Sequence, residues 1–148
     1  MKVNNEGKNH LKKVEGFRNN VYLDSAGVPT IGYGFTYYPC GTKVKTTDAP
    51  ISRNDADVIL LQIMEEYEDG VNKYVTSKLT QNQFNALVSF SYNVGVPEFR
   101  DSTLLKKVNR NPNDTSIEAE FLKWKYSGGR VVKGLIKRRN MEYYLYSS

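Results

Sequence analysis

Glu15 to Phe35 reads EGFRNNVYLDSAGVPTIGYGF, and the fold turns on how this stretch is parsed. Leu11, Val14 and Phe17 recur at helical spacing, which predicts a short amphipathic helix with Glu15 on its last turn and Gly16 as its stop. Val21, Tyr22 and Leu23 are a β-prone run ending at Asp24. Ser25, Ala26 and Gly27 supply a turn, and the chain is β-prone again from Val28 to Phe35. A helix feeding a β-hairpin follows, with Glu15 at the helix end, Asp24 at a strand end and Thr30 on the returning strand. All three can face one cleft.

Those residue types match the needs of glycosidic bond cleavage. A protonated carboxylic acid must donate to the leaving oxygen, and a second carboxylate on the other face of the sugar must activate water or attack directly. Glu15 and Asp24 are the candidates. To hold its proton near neutrality an acid such as Glu15 has to be raised from about 4.3 towards 6, by desolvation or by a neighbouring negative charge. Its flank of Val14 and Phe17 is apolar. Thr30 has no useful acidity, but its hydroxyl both donates and accepts, which suits it to position a water beside Asp24.

At these residues the chain resembles the bacteriophage-type lysozymes and endolysins of glycoside hydrolase family 24. The match is Glu, eight residues, Asp, five residues, Thr, with E-G-F-R ahead, Y-x-D in the middle and T-I-G-Y-G closing it. The resemblance implies Glu15 as general acid, Asp24 handling the water and Thr30 helping to place it. It continues through Leu79 to Gly95 (LTQNQFNALVSFSYNVG), Asp101 to Asn109 (DSTLLKKVN) and Phe121 to Tyr146, and so covers nearly the whole chain. Many members carry a His directly after the G-Y-G where this chain has Phe35, which puts the hairpin's anchoring in question more than its chemistry.

The resemblance implies an α+β, mainly helical, lysozyme-like fold. A small antiparallel hairpin sheet and a helical lobe would flank an active-site cleft, within one catalytic domain over residues 1–148. The helix and hairpin lobe would occupy about 1–50, and the linking helix and helical lobe about 51–148. Thr36, Tyr92, Asn93 and Ser102 are the candidate substrate-binding residues. Tyr92 and Asn93 read equally well as a core tyrosine and a helix-end asparagine.

A chain of 148 residues can bury one sizeable core. No segment approaches the roughly 20 consecutive apolar residues of a membrane span, and the start MKVNNEGKNH has no hydrophobic signal core. Either the protein needs help to cross a membrane or its leader is absent from this chain. Cys40 is the only cysteine, so no internal disulfide is available, and with His10 as the only histidine it reads as a loop thiol rather than a nucleophile. One His and one Cys are too few soft ligands, and no carboxylate spacing matches a calcium loop, so neither metal nor other cofactor is expected. The net charge of +5 suits an acidic partner, bacterial wall polymer or nucleic acid. Its basic residues are dispersed among acids, which reads first as plain solubility and otherwise as attraction to an anionic wall, and they form no nucleic-acid motif.

After Pro50 a long helix is predicted, capped by Ser52, with Ala56, Ile59, Leu60, Ile63, Met64, Tyr67 and Val71 on its apolar stripe and Gly70 bending or ending it. Its acids Glu65, Glu66, Glu68 and Asp69 read as a solvated face. A Thr42 to Thr46 strand is expected in the loop before it. Thr80 with Gln83 and Thr115 with Glu118 have capping-box form, and Ser102 can cap a helix between them. The helix after Thr80 is apolar nearly all round and belongs mid-bundle. Trp124 reads as core and Ser127 to Gly129 as a turn. A final helix carries Arg138 and Arg139, which either reach a carboxylate of the opening helix, Glu15 included, or face water.

The leading expectation is an endolysin-like muramidase that hydrolyses the β-1,4 bond between N-acetylmuramic acid and N-acetylglucosamine, with inversion. It would act as a monomer on peptidoglycan glycan strands, held in a host cytoplasm until released to the wall. Two alternatives stand beside it. A lytic transglycosylase needs no water-activating Asp. A binding module would grip the wall without cutting it.

Overall fold

A computed structural model describes residues 1–148. In chain order it contains α1 (Asn5–Glu15), β1 (Arg18–Leu23), β2 (Pro29–Gly32), α2 (Arg53–Tyr74), α3 (Gln81–Val94), α4 (Val96–Asp101), α5 (Thr103–Arg110), α6 (Ile117–Leu122), β3 (Tyr126–Ser127), β4 (Arg130–Val131) and α7 (Lys133–Tyr146). The fold is mainly helical with a small antiparallel sheet, β1 against β2, and a second hairpin of two-residue strands. No helix is long and apolar enough to cross a membrane. The chain divides into two compact units, Asn9–Glu66, and Met1–Lys8 together with Tyr67–Ser148.

In the Asn9–Glu66 unit the hairpin begins earlier than its β propensity suggests, at Arg18, and pairs Arg18 with Gly32, Tyr22 with Thr30 and Leu23 with Pro29. The register shifts between the first two pairs, so β1 bulges within Asn19 to Val21. Asn19 is tied instead to the chain ahead of α2, its carbonyl accepting from Ile51 N–H at 2.9 Å. After β2 the chain turns back so that Ile31 and Phe35 exchange both backbone hydrogen bonds, at 3.0 and 2.8 Å. Phe35 is 2% exposed and meets Tyr33 edge to face. The hairpin is therefore anchored there by ring packing, which needs no polar partner. The expected strand over Thr42 to Thr46 shrinks to a single bridge, Tyr37 with Lys43. Asp48 accounts for this, binding the Tyr38 hydroxyl and the Lys45 N–H and bending the segment into a turn.

Ser52 caps α2 as read, its Oγ accepting from Asp55 N–H at 3.1 Å. Gly70 neither ends nor breaks the helix, which runs on to Tyr74. A Cβ there would come within 3.0 Å of the Val96 methyls, so its smallness serves close packing. The acidic face of α2 has one exception to the solvated reading. Glu68 is 5% exposed, and its Oε2 accepts the Val3 N–H at 2.7 Å, tying down the non-helical start of the chain.

In the second unit α3 is the central element, with every residue from Gln83 to Ser91 buried. Its capping box is complete, Thr80 Oγ1 accepting from Gln83 N–H and Gln83 Oε1 from Thr80 N–H. Phe90 sits edge-on to Phe99, Phe121 and Trp124, which makes Trp124 a partner of the aromatic core. The short helix α4 was not evident from Gly95 and Pro97, which mark a stop but also let a new helix start directly behind it. At α6 the expected Thr115 box does not form. Asp114 Oδ1 instead takes both the N–H and the hydroxyl of Ser116.

Arg138 and Arg139 are 7% and 0% exposed, which removes the water-facing reading. Both bind Glu142, one turn further along α7, which is itself fully buried and also accepts the Ser89 hydroxyl at 2.7 Å. Buried charge of this kind persists only when paired and hydrogen-bonded, and here α7 carries its own counter-ion to α3.

Two stability predictions follow from buried groups. Ser91 Oγ is buried in α3 without a hydrogen-bond partner, so Ser91→Ala should raise stability by about 1 kcal/mol, read as a higher urea midpoint. Glu120 is nearly buried between Lys107 and Lys123, at 2.9 and 2.8 Å. Burial pushes its carboxyl up, but the two ammonium groups outweigh this and hold it below the usual range. A depressed folded value contributes stability above the unfolded value, about 4.3, that is lost as pH falls through the folded one. Glu120→Gln should therefore lower stability at pH 7 and flatten its decline below about pH 4.3, measured by urea unfolding across pH.

Candidate active site

Glu15 is the last residue of α1, and the helix ends there because Gly16 takes a left-handed conformation, φ 70°, with its N–H on the Lys12 carbonyl. One turn earlier Lys12 Nζ lies 3.1 Å from Asp57 Oδ1 on α2, and the Tyr33 hydroxyl donates to that same oxygen at 3.1 Å. The hydrogen bond from Lys12 is the main reason the Asp57 carboxyl is held below its usual range. Phe17 packs on Tyr33 with ring centroids 5.5 Å apart, and the Arg53 guanidinium covers Phe17 at 4.6 Å. The end of α1, the hairpin and the start of α2 thus meet around Tyr33.

The residue after Tyr33 completes the seat for Glu15. Gly34 has φ 77°, and a Cβ added there would collide with Glu15 Oε2. The carboxyl therefore rests directly over the Gly34 backbone, at a distance only glycine permits. Glu15 itself is half-buried.

Asp24 is fixed by its own turn. Its Oδ1 accepts the N–H groups of Ala26 and Val28 at 2.8 and 2.9 Å, while its backbone N–H donates to the Val28 carbonyl at 3.0 Å. This is the Asx geometry that makes Asp common in turns. It also leaves Oδ2 without a hydrogen bond. Thr30, 3% exposed, donates its hydroxyl to the same Val28 carbonyl at 2.8 Å. Its proton is thereby committed inside the hairpin, and the oxygen is left to accept. Asp24 and Thr30 are oriented by one shared peptide neighbour, Val28.

Directly across the sheet from Thr30 lies Tyr22, which in the sequence looked only strand-forming. It is half-buried, with the Arg18 guanidinium 4.6 Å from its ring centroid. Partial burial and then the charge of Glu15 push its phenol above the ordinary value, Asp24 adding and Arg18 opposing. Tyr22 therefore lies within the field of both carboxylates. Its position in the Y-x-D string was the available signal, because residues two apart on a strand share a face.

The candidate substrate-binding residues are less uniform. Thr36 is half-buried, with its carbonyl accepting from Val44 N–H at 3.0 Å. Tyr92 is half-buried against Tyr67, centroids 5.1 Å apart. Asn93 is exposed, and its Oδ1 accepts from Arg139 Nη2, an orientation that sequence reasoning missed because it arises from a buried arginine 46 residues away. Ser102 is 4% exposed and acts as the N-cap of α5. Its Oγ donates to the Phe99 carbonyl at 2.7 Å and accepts from Leu105 N–H at 3.1 Å, so its hydroxyl is occupied on both sides. No three His, Cys, Asp or Glu side chains come together in a way that could hold a metal ion.

The family model for phage lysozyme matches residues 12–142. The chain is 40% identical over 147 residues to the endolysin of Bacillus phage B103, covering 96% of this chain and 52% of that protein. It therefore spans about half the length of this relative. Among solved structures, the endolysin from Escherichia coli O157:H7 phage FAHEc1 superposes with a TM-score of 0.90 at 35% identity, over 99% of this chain and 93% of that one. The muramidase domain of SpmX from Asticaccaulis excentricus superposes with a TM-score of 0.86 at 32% identity, over 100% and 99%.

The close approach at Gly34 is directly testable. Gly34→Ala should destabilise by about 1–2 kcal/mol through its left-handed backbone alone, and more if Glu15 cannot yield. A loss read from urea midpoints that is no larger than this backbone cost would show that the carboxyl is not held against Gly34.

Proposed function

We propose that this chain, which belongs to the phage lysozyme family, is a muramidase that hydrolyses the β-1,4 bond between N-acetylmuramic acid and N-acetylglucosamine in peptidoglycan. The observation that carries the reading is the pairing of Asp24 and Thr30 through Val28, beside a Glu15 seated over Gly34. Glu15, as the carboxylic acid, gives its proton to the glycosidic oxygen as the bond to the anomeric carbon breaks. A water on the opposite face donates one hydrogen bond to Asp24 Oδ2 and the other to Thr30 Oγ1, which turns its lone pair towards the anomeric carbon. As the new C–O bond forms, the water proton passes to Asp24. Glu15 is left ionised and Asp24 protonated, and solvent restores both. Attack from the face opposite the leaving group inverts the anomeric configuration.

A preorganised acceptor pair is what such a step requires, since the orientation is set before the substrate arrives. Thr36, Tyr92 and Asn93 are proposed as sugar contacts, Asn93 because Arg139 already holds its amide oxygen and leaves its NH2 to donate. The protein is read as acting on the wall after release from the cell that makes it, as a monomer and without a cofactor.

Purified peptidoglycan tests the reading. The parent should clear it and release reducing ends, Glu15→Gln and Asp24→Asn should each lose about 10²–10⁴-fold in rate, and the first product anomer seen by NMR should be α. Thr30→Val should lose about tenfold and Thr30→Ser much less. Anhydro ends would assign a transglycosylase instead, and tight wall binding without cleavage a binding module.

A further inference from the structure

Tyr22 is half-buried and its hydroxyl makes no hydrogen bond within the protein. Ser91 Oγ is the one buried side-chain oxygen or nitrogen without a partner, so the Tyr22 hydroxyl still reaches solvent and is open to an incoming polar group. Its surroundings identify what kind of partner would fit. Tyr22 pairs with Thr30 across the sheet, so the two side chains leave the same face of the hairpin. Asp24 is two residues further on, just past the end of β1, where the chain enters the turn. The Arg18 guanidinium stacks on the Tyr22 ring at 4.6 Å and restricts its motion.

We propose that Tyr22 is a substrate-contacting residue of this site, its unpartnered hydroxyl, on the hairpin face that carries Thr30, hydrogen-bonding a neutral polar group of the sugar at the bond being cut. This rests on the muramidase reading for the identity of the sugar. The partner is neutral because the charges of Glu15 and Asp24 both reach the phenol oxygen, so an anionic group there would meet two carboxylates. A sugar hydroxyl or an acetamido oxygen satisfies that condition. Burial and then the charge of Glu15 push the phenol above its ordinary value, which favours the protonated, donating form. Arg18 has a positioning role, keeping the ring in one orientation so that little freedom is lost when the substrate binds.

The test separates binding from turnover. Binding of the tetrasaccharide of alternating N-acetylglucosamine and N-acetylmuramic acid is measured by calorimetry on the whole chain carrying Glu15→Gln, with and without Tyr22→Phe. Removing only the hydroxyl keeps the ring and its stack on Arg18. The melting temperature should stay within about 2 °C, while Kd should rise about fivefold, one neutral hydrogen bond. In the Glu15-containing protein, Tyr22→Phe should lower kcat/KM at least as much, and Arg18→Gln should give a smaller loss of the same kind. An unchanged Kd on Tyr22→Phe overturns the proposal, as does failure of the Glu15→Gln protein to bind the tetrasaccharide at all. If the parent releases no reducing ends yet Tyr22→Phe still weakens binding, the muramidase reading fails and the Tyr22 contact stands.

Discussion

Asp57 receives hydrogen bonds from two directions, from Lys12 near the end of α1 and from Tyr33 in the hairpin, and itself sits in the first turns of α2. Three elements that are far apart in sequence therefore converge on one carboxylate. The position of Glu15 depends on this, since it lies three residues beyond Lys12 and faces Gly34, the residue next to Tyr33. The ion pair alone is partly exposed and worth little in water. Its value is geometric, because the Phe17, Tyr33 and Phe35 rings behind it make the same junction apolar and close-packed.

Val28 does a comparable job at the other end of the hairpin. Its N–H fixes Asp24 and its C=O fixes Thr30, so a single peptide neighbour sets the direction of a carboxylate and of a hydroxyl. Neither side chain needs an outside residue to hold it. A tight turn is a stiff support, and the hydrolysis proposed above needs stiffness, since it asks for oxygens aimed at a water within a few tenths of an ångström. Opposite Thr30, Tyr22 adds a polar group whose hydroxyl the protein itself does not use.

In the other unit the ordering principle is buried charge. Glu142 holds Arg138 and Arg139, Arg138 Nη2 binds the Ser89 carbonyl, and Arg139 Nε binds the Trp124 carbonyl. α7 is thereby tied to α3 and to the segment after α6 by hydrogen bonds as well as by the Phe90 and Phe121 ring contacts. Such a network is costly to desolvate and favours one arrangement over others, since any slip leaves a charge unpaired. Asn93 takes its orientation from the same arginine.

The local grammar was legible in the chain. Gly16 as a stop, the Asp24 to Gly27 turn, and Ser52, Thr80 and Ser102 as caps all depend on interactions within about four residues, and the sequence alone determined them. So did the apolar periodicity that buries α3. What it did not determine were long-range partnerships of polar groups. Glu68 looks like any acid on a solvated face until Val3 is folded against it, and Arg139 looks exposed until Glu142, Asn93 and the Trp124 carbonyl surround it. Asp114 displaced Thr115 at the start of α6 because several nearby oxygens competed for one turn, and only the packed chain decided between them. The order of Glu15, Asp24 and Thr30 was visible as a string. The tertiary structure decided that Gly34 seats the first, that one valine orients the other two and that Tyr22 lies across the sheet from Thr30, because burial and approach across a sheet are properties of the fold and not of spacing along a chain.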